Sequence, residues 1–376
     1  MMRRTVFTLV LLIFTAAPQA RPRASGLGPR TVGCGSQACP RLWAGLQPGP
    51  YPVGFRSWLL RAQASEFRHG AQHLVQVSVW YPAAPGSGTP MTYRDYLLLK
   101  PTENSYAEPT EESRAAAIAE LTKSLTDFGV SQRTALAIVD SPLYARLNAQ
   151  TPMGTVRHPM VYIAEGNGQT AADQAILSEF LASHGYIVVT SPSVMRITGP
   201  LTADAQLGVR AEEQADDIDR AASATGDSPN AVNIPVSVLG YDIGAAAALL
   251  YAMHHPTNAL VLIDGAFDSP SKIEALKAAP TFDASVKLPP ILSIHGEGNH
   301  SAATGFVRSL HSSELVEQSI AVKHPLFTTT GFAAAAFPDV AKATGASATV
   351  KRDVTATAGK ALQFLDRIWM PTRPPG

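Results

Sequence analysis

Residues 238–250, VLGYDIGAAAALL, decide how the rest of the chain is read. An apolar run of strand type closes on Gly240, and an alanine-rich helical run opens at Gly244. Asp242 stands between them in a glycine-framed turn of the form G-x-D-x-G. A sharp strand-to-helix turn lifts its central side chain clear of the sheet end and turns backbone N–H groups toward a bound oxygen. The stretch therefore suggests a layer of structure and a reactive position at once.

Working outward, the chain from residue 158 alternates between short apolar runs and helical patterns. PMVYIAEG (159–166), YIVVTSP (186–192), IPVSVLG (234–240), ALVLIDG (259–265), PPILSIHGEG (289–298) and EQSIAVKH (317–324) read as strands. AADQAILSEFLASHG, RAEEQADDIDRAASA and TATAGKALQFLDRIW read as helices, the first stopping at Gly185. Upstream, GPYPVGFRSWLLRA and HLVQVSVWYPA alternate apolar and polar residues and predict a β-hairpin. From Pro101 to Gln150 the spacing turns helical. Ile118, Leu121, Leu125 and Phe128 recur every three to four positions, as do Leu136, Val139, Leu143 and Leu147. The expectation is an α/β domain over residues 51–370, a mainly parallel sheet with helices on both faces and a helical insertion at about 101–150.

The amino terminus differs. Arg3 and Arg4 precede VFTLVLLIFTAA, an apolar run of 12 residues, and small residues follow up to Ala20. That layout predicts a signal peptide over 1–20, a linker over 21–50, and export to a periplasm or the medium. A membrane span needs about 20 apolar residues, so no stable membrane insertion is expected once the segment is removed. The only two cysteines, Cys34 and Cys39, precede the first strand. They read either as a small disulfide loop or as two thiols in a leader, and neither reading is catalytic. With 30 basic and 30 acidic residues the formal charge is zero, and no basic run marks a nucleic-acid partner.

Functional groups of such sheets gather at the carboxyl ends of the strands. Asp242, Asp264, His324 and the turn Glu165-Gly166-Asn167-Gly168 all fall there. The order of elbow residue, acid and histidine is that of a hydrolytic triad built on a strand-to-helix turn. In that arrangement Asp264 orients His324, and His324 serves the elbow. Ile243 and Asn167 would offer oxyanion N–H groups. His324 is expected within about 4 Å of a carboxylate and, beside two of them, with a raised pKa.

These motifs resemble a family. VYIAEGNGQTAADQAILSEFLASHGYIVVTSP is similar to the strand–turn–helix–strand segment of platelet-activating-factor acetylhydrolases and dienelactone-hydrolase-like proteins. GYDIGAAAAL resembles their nucleophile elbow, LVLIDGAF the segment of their catalytic aspartate, and VKHPLFTTTGF that of their histidine. GPYPVGFRSW, VSVWYPA and MTYRDYL resemble the amino-terminal part of bacterial members. The resemblance spans roughly residues 45–370 and implies an α/β-hydrolase fold, a cofactor-free hydrolase and a small-molecule substrate that is ester-like or hydrophobic. Two positions depart from it: Asp242 replaces the serine, and Glu165-Gly166 replaces a His-Gly turn.

An elbow aspartate has its own chemistry on this fold. It attacks a saturated carbon, and a histidine-activated water cleaves the resulting ester. Attack on a carboxylic ester would instead give an anhydride. A hydrolase acting through Asp242, Asp264 and His324 therefore stands beside a degenerate hydrolase with a binding or scaffold role. Other readings are weaker. Ser191 and Ser193 lack the elbow. His295, Glu297 and His300 have no spacing that puts both histidines on one helical face, so no metal is expected. Glu165 would pair with a basic group or face solvent.

Overall fold

Strand β7 (Val236–Tyr241) lies in the interior of a ten-stranded sheet, and every residue of it is buried. The computed structural model describes residues 39–61, 74–105, 108–152, 158–193, 199, 201–226, 236–298 and 300–369. These fall in one compact unit, Thr31–Pro375; the other, Met1–Arg30 with Gly376, lies outside the described residues, as do the signal-peptide reading and Cys34.

The parallel core runs through β6 (Ile187–Ser191), β5 (Met160–Ala164), β7, β8 (Thr257–Ile263), β9 (Ile291–His295) and β10 (Leu315–Ser319), in that spatial order. The hairpin of β1 (Val53–Arg61) and β2 (Leu74–Pro82) joins antiparallel to β6 through β2. Two short strands, β3 (Thr89–Thr92) and β4 (Pro142–Leu147), complete the far edge. After β6 the chain crosses back over β5 to form β7, so the crevice above β5 and β7 is a topological switch point.

Both faces are covered. Helices α5 (Ala175–Ser183) and α12 (Val350–Trp369) contribute to one apolar cluster, with α10 (Thr329–Ala336). Helices α6 (Leu207–Gly226), α7 (Ile243–His254) and α9 (Ser301–Ser309) contribute to the other, with α8 (Pro270–Lys277). Leu239 and Tyr241 of β7 join the first cluster, while Val236 and Val238 join the second, as the two-residue period of a strand requires. Double coverage is why these strands read as continuous apolar runs.

Three segments differ from the sequence reading. The helical block is α1 (Tyr93–Leu97), α2 (Lys100–Ser105), α3 (Glu111–Asp127) and α4 (Gln132–Val139), after which Leu143 and Leu147 lie on strand β4. Pro142 explains the break: it lacks an N–H and disfavours helical geometry at Ser141. Phe128, beyond the end of α3, is 73% exposed. The supposed linker folds back at its end, burying Leu42, Trp43 and Leu46, with Trp43 Nε1 donating to Glu179 Oε2 at 2.9 Å. Finally, β10 stops at Ser319, and His324 opens a short 3-10 turn, His324–Phe327. No helix among the described residues is long and apolar enough to cross a membrane.

Candidate functional site

Asp242 sits at φ 54° and ψ −122°, in a region that side-chain-bearing residues seldom enter. The neighbouring glycines hold it there. A Cβ on Gly240 would meet the Gly244 carbonyl oxygen at 2.3 Å, and one on Gly244 would meet the Ala164 oxygen at 2.1 Å. The turn is thus wedged against the end of β5, and only glycine permits that approach. Helix α7 begins at Ile243, whose N–H is one of the amides a helix start leaves without an intrahelical partner.

Three side chains predicted from the sequence converge at this elbow. His324 Nδ1 donates to Asp264 Oδ2 at 2.7 Å, and His324 Nε2 faces Asp242 Oδ1 at 3.8 Å. Asp264 also accepts from the Gly296 N–H through Oδ1, at 2.8 Å. Asn167, at the turn after β5, donates its backbone N–H to Asp242 Oδ2 at 3.0 Å. Its side-chain amide exchanges two hydrogen bonds with the backbone of Leu201, which fixes the orientation of the turn.

The charges are arranged unevenly. Burial acts to lower the His324 pKa. The bond to Asp264 and the negative charges of Asp242, Asp264 and Asp268 outweigh it, so the imidazolium is favoured and the pKa lies above its ordinary value. Burial likewise acts to raise the Asp264 carboxyl. The bonds from His324 and Gly296, with the charges of His324 and His300, hold it below the usual carboxylate range. Asp264 is 7% exposed, whereas the His324 side chain is 45% exposed and open to a reactant.

Two contributors, Tyr241 and Gly296, were not singled out in the sequence. Tyr241 stacks on the His324 ring at 4.9 Å between centroids and donates its hydroxyl to the His324 carbonyl at 2.9 Å. Its position beside Asp242 was the only available signal. Gly296 serves through its N–H, which no side-chain pattern reveals. His300, weighed in the sequence only as a metal ligand, places its Nδ1 3.8 Å from Asp264 Oδ1.

Other candidates fall elsewhere. Glu165 neither pairs with a base nor faces solvent: it is fully buried, with Oε1 2.9 Å from Thr190 Oγ1. Ser191 and Ser193 are buried; Ser191 contacts the Tyr162 hydroxyl. His295 ends β9 facing inward, 3.1 Å from the Ser293 hydroxyl, and Glu297 points to solvent. Among the described residues no three His, Cys, Asp or Glu side chains are arranged to hold a metal ion.

No family model matches the chain, and no curated protein does. Solved structures do match. A ferulic acid esterase from Streptomyces cinnamoneus is similar over 84% of this chain and 90% of its own, at 18% identity and a TM-score of 0.55. A dienelactone hydrolase from Anabaena variabilis covers 57% of this chain and 87% of its own, at 18% identity and a TM-score of 0.39. An acylaminoacyl peptidase from Pyrococcus horikoshii covers 86% and 43%, at 11% identity and a TM-score of 0.44. The first likeness, together with the strand order, shows the α/β-hydrolase fold.

Proposed function

We propose that this chain is a hydrolase in which Asp242 is the nucleophile, acting on a small molecule with a leaving group on a saturated carbon, such as an epoxide or haloalkane. One observation carries the reading: Asn167 N–H holds Oδ2 of Asp242 while Oδ1 faces His324. The two carboxylate oxygens thus have different roles before any reactant arrives.

In the first step an Oδ1 lone pair forms a bond to the saturated carbon, and the leaving group departs with the electrons of the broken bond. The ester that results has no charge. His324 then loses one of the anions that favour its protonated form, so it gives up its proton more readily, to the oxygen of an opened epoxide or, after a halide has left, to solvent. Its Nε2 can now take a proton from water as the hydroxide adds to Cγ of Asp242. Negative charge develops on Oδ2, where the Asn167 N–H already points and the Ile243 N–H opens α7. Collapse breaks the Cγ–Oδ1 bond. The alcohol leaves with Oδ1 and the proton held by His324. The new carboxyl, which carries an oxygen from water, passes its remaining proton to His324, so that carboxylate and imidazolium are both restored.

The same Asn167 bond favours a second reading, binding without turnover. The amide that a carboxylic ester would use for its carbonyl is occupied by Asp242. One experiment separates the two. In a single turnover of excess enzyme in ¹⁸O water, the nucleophile reading expects unlabelled alcohol and label in the Asp242 peptide. A His324→Gln variant should accumulate the alkyl ester, seen as an added mass on that peptide. No adduct and no label across an epoxide and haloalkane panel would leave the binding reading. We further propose export with removal of residues 1–20, supported by the Arg3–Ala20 pattern; protein that stays inside the cell with Met1 intact would refute it.

A further inference from the structure

The oxyanion turn stands on a buried carboxyl group whose hydrogen bonds can be counted. Thr190 Oγ1 lies 2.8 Å from the Ile163 carbonyl oxygen and 2.9 Å from Glu165 Oε1. A hydroxyl has one hydrogen to give, and a carbonyl can only accept. If Thr190 gives its hydrogen to Ile163, the contact with Glu165 needs a second hydrogen. We propose that Glu165 is an un-ionised acid at neutral pH, donating to Thr190 as Thr190 donates to Ile163, and that it is a positioning residue for the Asn167 amide.

The surroundings agree with that proton count. Glu165 is fully buried, and its other oxygen, Oε2, has no partner among the described residues. An ionised carboxylate left so would be costly. The groups facing it are mostly acidic or neutral. Burial raises its pKa most, then the charge of Asp173; the Thr190 contact opposes, and Glu103 on α2 adds to the rise. Tyr93 on α1 and Tyr162 on β5 are held un-ionised, chiefly by burial. From α6 comes the neutral Gln214, which donates to the Glu165 carbonyl at 2.7 Å. Lys100, a cation on α2, acts on Asp173 and bridges to Glu120 at 2.7 Å.

The consequence for the site follows from position. Asn167 is two residues beyond Glu165, and the Glu165 carbonyl packs against the elbow at Gly244. A negative charge at Glu165 would oppose the charge developing on Asp242 Oδ2, and the carboxylate would compete with the Ile163 carbonyl for the single hydrogen of Thr190. The kinetic part rests on the aspartate-nucleophile reading; the protonation state does not.

The test is therefore spectroscopic first. An infrared difference spectrum at neutral pH, wild type minus Glu165→Gln, should show the carbonyl stretch of an un-ionised acid. Thr190→Val should move that band, which keeps the test open if the glutamine variant folds poorly. Ionised-carboxylate bands in the difference spectrum, or a band that Thr190→Val leaves in place, would overturn the proposal. In turnover, wild type should lose about tenfold per pH unit above the point where Glu165 ionises. Glu165→Gln, whose amide can still donate to Thr190, should stay within about threefold of wild type at neutral pH and lack that limb. The same alkaline limb in both proteins would overturn the positioning role even if the infrared band is found.

Discussion

The backbone N–H of Asn167 donates to Oδ2 of Asp242 at 3.0 Å. The elbow side chain thereby fills the place where a serine elbow would leave an amide open to substrate. A carboxylate there excludes an acyl oxygen and leaves Oδ1 toward His324. The departures at Asp242 and Glu165 both concern this one turn, and they fit a change of chemistry at an intact elbow.

His324 should titrate lower when Asp242 is neutral. The Asp242 charge helps raise the histidine, so Asp242→Asn removes one contribution and leaves that of Asp264. NMR titration of the imidazole in both proteins measures the difference. Equal values would mean that Asp242 does not act on His324, and the proposed release of its proton on ester formation would fail.

Asp242→Ser should gain activity on a small activated carboxylic ester. The substitution removes a charge, opens the Asn167 amide and supplies a hydroxyl at a preserved elbow. A rate at least about tenfold above wild type is expected, within what an oxyanion donor supplies. Adding His324→Ala should abolish it. A folded, silent Asp242→Ser would show that the turn cannot hold an acyl oxyanion.

Gly244→Ala should destabilise the fold despite the better helix propensity of alanine. The new Cβ would meet Ala164 O at 2.1 Å and Glu165 O at 2.7 Å. Overpacking of this kind costs about 1–3 kcal/mol, against roughly 1 kcal/mol gained in propensity. Urea unfolding with an unchanged m-value measures it. An unaltered midpoint would mean that the elbow is not wedged against β5.

Glu179→Ala should cost more than the loss of one contact. Glu179 accepts from Trp43 Nε1 at 2.9 Å, the Tyr96 hydroxyl at 2.9 Å and the Tyr144 N–H at 3.0 Å. Its removal leaves buried donors unpaired, at about 1–3 kcal/mol each. Chemical denaturation of Glu179→Ala and Glu179→Gln should rank alanine as the less stable.

Stability should respond to pH with two opposite signs. The raised His324 pKa contributes stability that is complete below its unfolded value, near 6.5, and lost as pH rises through the folded value. The lowered Asp264 pKa contributes stability present above its unfolded value, near 3.8, and lost as pH falls through the folded value. Wild type should therefore lose more stability than His324→Gln as the pH rises from the unfolded value through the folded value of His324. Parallel curves would show that the histidine contributes nothing to folding.

Much of the fold was legible because its signals are local. The two-residue period marked β1 and β2, and continuous apolar runs marked β5 to β9. The elbow was legible because Gly240 and Gly244 face each other across a few residues. The helical block misled at its end, where Leu143 and Leu147 fit a helical spacing but Pro142 ends the helix and Ala145 pairs with Val53 of β1. A spacing of four fits a helix face and, being even, one face of a strand as well.

By itself the sequence determined the alternation of strands and helices, the strained turn at Asp242, and the chain order of Asp242, Asp264 and His324. Tertiary structure alone decided which atoms meet. His324 bonds to Asp264 across 60 positions, and Asn167 to Asp242 across 75. It also buried Glu165, which sequence alone left to solvent or a basic partner. The physical reason is range: backbone period and turn chemistry act over a few residues. Burial and charge pairing depend on which loops the closed sheet brings to the same end.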